Sequence, residues 1–368
     1  MIGINAKPAL QNPRTGLEEY AYQLITHLIL EARKRALEKY LLLYAPRWTA
    51  MPQEFLSVSL KILKAPYLWT QGRLALQLFW DNPDIFFNPE QILPLFAPKR
   101  SVVTVHDLAY QIYPHFYPPW HRRYLHLVTK HATKRAKKVI AVSERTKRDI
   151  AKFYGIPQRN IEVVYHGFRP HQESGVRTVK AEVNTFPLPT RQPYFLFVGR
   201  IEYKKNIFHL IEAFELFSKK VNENFHLLLV GPPGFGFKTI KKRIAASPVR
   251  KRIFLLGFAD ELLKNELYQH AKGFLLVSFY EGFGLPVLEA QSFGVPVIAS
   301  NTSSLPEVLG RSAYLVNPQD PEEIASKMIE LIKQPKIGAY LVKKGYENLK
   351  RFSWEKSAKE TLDILLSL

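Results

Sequence analysis

The sequence predicts an α/β protein made of two doubly wound, Rossmann-like domains, and three observations carry that reading. Short apolar runs of strand length alternate with stretches whose apolar residues recur at helical spacing, the pattern of a parallel sheet covered by helices. The alternation breaks over residues 171–192, where periodicity disappears and Pro, Gly and polar residues scatter as in an interdomain linker. A chain of 368 residues, 46% apolar, suffices for two cores of ordinary size. The domains are read as residues 1–170 and 193–350.

In the first half, Ile2–Asn5 reads as a strand, Asn12–Gly16 as a turn, and Leu17–Ala32 as an amphipathic helix with Leu17, Tyr20, Leu24 and Leu28 on one face. Tyr40–Tyr44 and Ile85–Phe87 read as strands, with Leu74–Trp80 a helix between them. Ser101–Val105 is a buried strand ending in His106-Asp107, and polar groups at such an end lie where open α/β sheets hold ligands. Tyr110–Trp120 is expected to be a loop because its prolines resist regular structure. Its rings, among them Tyr110, Tyr113 and Trp120, are candidate walls for a sugar acceptor, and equally candidate anchors or lipid contacts. A helix over His121–Lys137, a strand Lys138–Val142, a Ser143-capped helix to Phe153 and a strand Ile161–Tyr165 complete the domain.

The second half is more regular. Strands are expected at Tyr194–Val198, His226–Val230, Ile253–Leu256, Phe274–Val277, Pro296–Ala299 and Tyr314–Val316. Helices are expected at Ile207–Lys220, Thr239–Ala246, Glu261–Ala271 and Pro321–Ile332, with a last one over 354–366. Its centre is the stretch from Ser278 to Ser304. A strand leads into the turn Glu281-Gly282-Phe283-Gly284, and a helix begins at Leu285-Pro286, where a proline costs no hydrogen bond. A glycine turn opening a helix beside a strand end suits a phosphate or diphosphate. Glu281 and Glu289 frame that turn. Carboxylates so placed would repel phosphate but accept hydrogen bonds from the hydroxyls of a sugar or ribose.

Composition narrows the function classes. The net charge is +20, with residues 1–190 contributing 27 Lys+Arg against 14 Asp+Glu, and the densest run lies between Arg122 and Lys152. Such a field favours anionic partners: a sugar nucleotide, a lipid-phosphate acceptor, an acidic membrane surface or nucleic acid. No zinc-finger spacing, RNA-recognition signature or aromatic interleaving supports a nucleic-acid binder. The absence of cysteine excludes disulfides and thiolate metal sites, no Asp-x-Asp pair or Asp/His cluster suggests a divalent ion, and no apolar run reaches bilayer length. A cytoplasmic location, peripheral on the membrane's inner face, is the expectation.

Glu281, seven intervening residues and Glu289, carried on EGFGLPVLEA, resemble the signature of the family 4 retaining glycosyltransferases. Phe197-Val198-Gly199-Arg200 followed by Lys204-Lys205-Asn206 is similar to a second block of that family. The blocks Thr15–Tyr20, Val105–Leu108, Val142–Glu144 and Ser303–Val308 resemble its bacterial branch of O-antigen and polysaccharide mannosyltransferases. The resemblance implies two domains facing across a cleft, the architecture called GT-B, with the last helix returning to the first domain. It implies a donor nucleotide sugar, GDP-mannose in that branch, transferred with retention onto a saccharide or lipid-linked saccharide. The alternative donor is a UDP-sugar. A nonhydrolysing epimerase or a phosphorylase could share the fold.

By the same resemblance, Arg200 and Lys205 neutralise the diphosphate in place of a metal, Glu281 holds the sugar, and Glu289 holds the ribose. His106 touches the transferred sugar, and Thr15-Gly16 close over the diphosphate. Gly199, Gly231, Gly257, Gly282, Phe283, Gly284 and Leu285 line the donor. No metal and no cofactor are implied. Glu18 departs from the pattern, since many relatives carry a small residue there.

Overall fold

The computed structural model describes residues 1–12, 14–47, 51–64, 68–169 and 192–368; the expected linker lies outside these except for Gln192. The chain forms two compact units. Unit 1 comprises Met1–Pro114, Pro119–Phe168 and Phe352–Leu368; unit 2 comprises His115–Pro118 and Arg169–Arg351.

Unit 1 runs β1 (Ile2–Asn5), α1 (Gly16–Lys34), β2 (Leu41–Pro46), β3 (Ser59–Leu63), α2 (Ala75–Asp81), β4 (Ile85–Asn88), β5 (Ser101–Val105), α3 (Ala109–Ile112), α4 (Pro119–Arg135), β6 (Lys138–Ala141), α5 (Glu144–Tyr154) and β7 (Ile161–Val163). Every paired strand is parallel, in the order β3-β2-β1-β4-β5-β6-β7. The order reverses between β1 and β4, so the strand ends part there and open a crevice. β1 is buried along its whole length, because a central parallel strand is covered on both faces. On one face lie α1 and the last helix of the chain (Trp354–Leu366), whose Trp354, Ala358, Leu362 and Leu365 join Leu24, Leu28 and Ala32 in one core. Gly167 lies so close to Trp354 that a Cβ there would come within 2.4 Å of its backbone, and Ser357 Oγ donates to Tyr165 O at 2.5 Å.

Tyr110–Trp120 is not the irregular loop expected. It holds α3 and a 3₁₀ turn at Pro114–Phe116, and α4 starts at Pro119, two residues before the expected start. The prolines sit at helix starts, where a fixed φ and a missing N–H are tolerated. The opening turn of α1 also explains the departure at Glu18. Its carboxylate accepts from the Thr15 backbone N–H at 3.0 Å and from the Thr15 hydroxyl, closing a capping box that a glycine could not make.

Unit 2 runs β8 (Tyr194–Val198), α6 (Ile207–Lys220), β9 (His226–Val230), α7 (Phe237–Ala245), β10 (Ile253–Gly257), α8 (Glu261–His270), β11 (Gly273–Leu276), α9 (Leu285–Ser292), β12 (Val297–Ser300), α10 (Leu305–Leu309), β13 (Tyr314–Val316), α11 (Pro321–Lys333) and α12 (Pro335–Leu349). Its six parallel strands are ordered β10-β9-β8-β11-β12-β13, and the reversal falls between β8 and β11. Both units are therefore doubly wound parallel sheets.

Candidate functional site

The carboxyl edge of the unit 2 sheet gathers most of the candidate residues. Gly199 follows β8, Gly231 follows β9, Gly257 ends β10, and Glu281 lies just beyond β11. Gly231 N–H donates to Gly257 O at 2.7 Å, and Gly199 N–H to Val230 O at 2.9 Å, so the three glycines continue the ladder past its strands. Gly231 has φ +141°, and a Cβ on it would sit 2.0 Å from Gly199 O. That glycine is demanded by backbone contact. A Cβ on Gly257, at φ +70°, would meet nothing within 4 Å, so space is open beside it.

At the reversal point Lys205, from the turn after β8, donates to Glu281 Oε1 at 2.6 Å. Both side chains are almost buried, at 14% and 10% exposure. Ser278 Oγ donates to the same oxygen at 2.6 Å, and Ser303 Oγ accepts from Glu281 N–H at 3.0 Å. Ser304 Oγ donates to the carbonyls of Glu281 at 2.9 Å and Phe283 at 3.2 Å, fixing the turn. Asn206, held at φ +58°, donates to Val277 O at 2.9 Å and Pro318 O at 2.6 Å and so ties the Lys205 turn to β11. A cation and a carboxylate 76 positions apart are thereby fixed where the sheet opens. Arg200 is exposed and makes no ion pair with the described residues, leaving its five donors available to an anion.

The turn itself is closed in. Glu281, Gly282, Phe283 and Gly284 are all buried, and Leu285 is half-buried. Gly284 caps α9 at φ +101°, with Leu305 2.7 Å from where its Cβ would stand. Glu289 faces α8: Tyr268 OH donates to Oε2 at 2.8 Å, and Lys264 Nζ to Oε1 at 3.0 Å. Sequence reasoning missed both partners; no spacing announces a Lys and a Tyr on a neighbouring helix. Burial, and then the Glu289 carboxylate, hold the Tyr268 hydroxyl well above its ordinary range, so it stays a donor.

Unit 1 has a matching arrangement at its own reversal point. Asn5 at the end of β1 donates to Asn88 at the end of β4, 3.1 Å apart, and Trp69 Nε1 donates to Asn5 Oδ1 at 3.2 Å. His106 Nε2 lies 2.9 Å from Pro89 O, an acceptor, so Nε2 carries the proton. Burial pushes the imidazole below its ordinary value, leaving it neutral with Nδ1 as an acceptor. Tyr20 packs edge-on against the ring at 4.7 Å. Thr15 and Gly16 are exposed at the start of α1, and a Cβ on Gly16 would meet nothing within 4 Å.

The three aromatic candidates are not brought together. Tyr110 is 1% exposed and its hydroxyl lies 2.9 Å from that of Tyr154, so it is a core residue and no open wall. Tyr113 is half-buried, while Trp120 is 72% exposed on the first turn of α4.

Glu90, another residue the sequence did not announce, adjoins Pro89. Burial pushes its carboxyl up to about 7, Lys7 opposing and Glu18 adding to the rise. Folding thus favours its protonated form: the associated stability is complete below about 4.5 and is lost as pH rises through about 7. Glu90→Gln should therefore gain on the native protein between about pH 5 and pH 8, by about 1–2 kcal/mol, since the side chain is only half-buried. Urea unfolding at both pH values checks this; a gain that is equal at the two would count against it.

Among the described residues no three His, Asp or Glu side chains converge as metal ligands would, and no helix is long and apolar enough to cross a membrane.

Comparison with known proteins fits this geometry. A model of the group 1 glycosyl transferases matches residues 179–348, and one of glycosyltransferase family 4 matches residues 15–172. The O-antigen chain mannosyltransferase B of Escherichia coli is 26% identical over 284 residues, 76% of this chain and 73% of that one. The O-antigen chain mannosyltransferase RfbU of Salmonella typhimurium is 27% identical over 293 residues, 77% of this chain and 75% of that one. The solved structure of a sucrose-phosphate synthase from Thermosynechococcus elongatus superposes with a TM-score of 0.77 at 19% identity, covering 100% of this chain and 98% of that one. With two matching models that together span nearly its whole length and a GT-B fold, the chain belongs to the family 4 glycosyltransferases.

Proposed function

We propose that the protein transfers mannose from GDP-mannose, with retention of anomeric configuration and without a metal ion, to a saccharide or lipid-linked saccharide in surface-glycan synthesis on the cytoplasmic side of the membrane. The observation that carries the reading is the Lys205–Glu281 pair at the reversal point of the unit 2 sheet, with exposed Arg200 after the same strand. The mannosyl donor rests on the likeness to the two O-antigen mannosyltransferases.

Each residue has a chemical task in this reading. Arg200 and Lys205 take the diphosphate, whose charge grows as the glycosidic bond to phosphate breaks, and fixed cations stabilise that growth without reorganising. Glu281, already oriented by Ser278, accepts hydrogen bonds from the sugar, and Glu289 exchanges Lys264 for ribose hydroxyls. The sugar passes through an oxocarbenium-like centre. The bond to the acceptor oxygen forms on the face that phosphate leaves, and the departing phosphate takes the acceptor's proton, so no side chain is assigned as general base. Neutral His106 offers Nδ1 to a sugar hydroxyl.

The reading is tested by following transfer from GDP-mannose in the presence of a chelator and determining the product's anomeric configuration by NMR. Undiminished transfer with an α-linked product is expected. A β-linked product would remove retention, and abolition by the chelator would remove metal independence.

A further inference from the structure

Arg200 and Lys205 hang on one turn, residues 199–206, and that turn is held from both sides. On one side Phe279 N–H donates to Lys204 O at 3.0 Å, alongside the bonds of Asn206 to Val277 and Pro318. On the other stands the segment 231–236, which leads from β9 to α7. Ile201 N–H donates to Pro232 O at 2.9 Å, Gly234 N–H to Ile201 O at 3.0 Å, and Tyr203 N–H to Phe235 O at 3.1 Å. Ile201 and Pro233 pair as a parallel bridge, so the two loops run on as a short ladder beyond the sheet.

The glycines of this segment differ in what demands them. Gly231 and Gly236 have φ +141° and +88°, angles that strain any residue with a side chain. Gly234 has a negative φ, so its backbone angle does not call for glycine. What excludes a side chain there is space. A Cβ on Gly234 would stand 2.7 Å from Cβ of Glu202 and 2.8 Å from both Cγ and Cδ of Arg200. The stem of Arg200 therefore lies across the place that a side chain would fill.

That slot bears on how Arg200 works. An exposed arginine samples many rotamers, and it must give them up when it grips an anion. A stem already laid in a slot has surrendered part of that freedom beforehand. Cations fixed in this way meet developing charge without reorganising.

We propose that Gly234 is a positioning residue of the transfer reaction: its missing side chain is the slot that aims the Arg200 guanidinium at the diphosphate. The proposal rests on the reading that Arg200 takes the diphosphate.

A double-mutant cycle on the full chain tests it, by calorimetric titration with GDP and with UDP. Gly234→Ala should weaken nucleoside diphosphate binding roughly three- to tenfold, approaching the loss in Arg200→Ala. In the Arg200→Ala background the same change should cost less than about twofold, because the stem that it displaces is gone. Binding of guanosine and uridine, which carry no phosphate, should not change. Glu202→Gly with Gly234→Ala relieves the contact with Glu202 and keeps the one with Arg200. It should melt no lower than Gly234→Ala alone and bind the diphosphate as weakly, so a poorly folding single variant does not spoil the test. Equal losses in both backgrounds would make Gly234 a packing residue of the two loops and overturn the proposal. Native affinity in a folded Gly234→Ala protein would overturn it too. An Arg200→Ala protein that binds as the native one does would instead remove the diphosphate reading, and this proposal with it.

Discussion

Lys205→Ala is expected to lower the transfer rate by about 10²–10³-fold, the usual loss for one fixed group that meets charge developing in the transition state. It should also weaken the fold. Lys205 and Glu281 are almost buried and 2.6 Å apart, so removing the cation leaves a carboxylate held by Ser278 alone. Breaking a buried pair costs about 3 kcal/mol at the low end, or roughly 6–12 °C in the melting temperature of a unit this size. Arg200→Ala separates the two effects. That side chain is exposed and unpaired among the described residues, so its rate loss should come with no thermal shift. Parallel melting curves and single-turnover rates decide the matter. Equal thermal losses in both variants would mean that Arg200 is structural, and an unchanged rate in Lys205→Ala would remove the cation from the mechanism.

Gly231→Ala should disable unit 2 more completely than any change at an exposed residue. The new Cβ would stand 2.0 Å from Gly199 O, and the residue would hold φ +141°. Strain at such an angle alone costs about 1–3 kcal/mol, and relieving the clash must part β8 from β9, which carry the loops with Arg200 and Lys205. Gly257→Ala meets no atom and pays only for its left-handed angle, about 1–2 kcal/mol. Comparing the urea midpoints of the two variants checks this. A Gly231→Ala protein as stable as Gly257→Ala would show that the glycine row yields easily.

The alternation of strands and helices was legible because buried parallel strands are almost wholly apolar. Phe195, Leu196 and Phe197, like Leu227, Leu228 and Leu229, are fully buried and read as such without a structure. The edge strand β3 was not legible: Ser59–Leu63 leaves Ile62 55% exposed and has a lysine at its centre, so neither alternation nor an apolar run marks it. Helix α12 went unread because Gly338 and Gly345 weaken its helical signal. Yet Gly345 is there for contact, since a Cβ would stand 3.1 Å from Gln291 of α9.

The candidate site divides along similar lines. Glu281, Glu289, Arg200 and Lys205 stand in local blocks whose glycines and spacing announce a ligand edge. Who partners whom is set by strand order, which no local pattern states. Hence the Lys205–Glu281 pair, the hold of Lys264 and Tyr268 on Glu289, and the raised carboxyl of Glu90 emerged only from the fold. The aromatic stretch misled for a physical reason. Proline density alone does not separate a loop from a series of helix starts, and Tyr110 and Trp120, ten residues apart, end in a core and in solvent.

Calorimetric titration of the full chain with GDP-mannose and with UDP-glucose, in metal-free buffer and alongside Arg200→Ala, shows which donor the protein takes and whether Arg200 holds its diphosphate. GDP-mannose is expected to bind at least tenfold tighter than UDP-glucose, and about tenfold more weakly to Arg200→Ala than to the native protein, as for a charge-assisted contact of about 1.4 kcal/mol. Folded protein that binds neither nucleotide sugar, or binds both as well without Arg200, would contradict the proposed function.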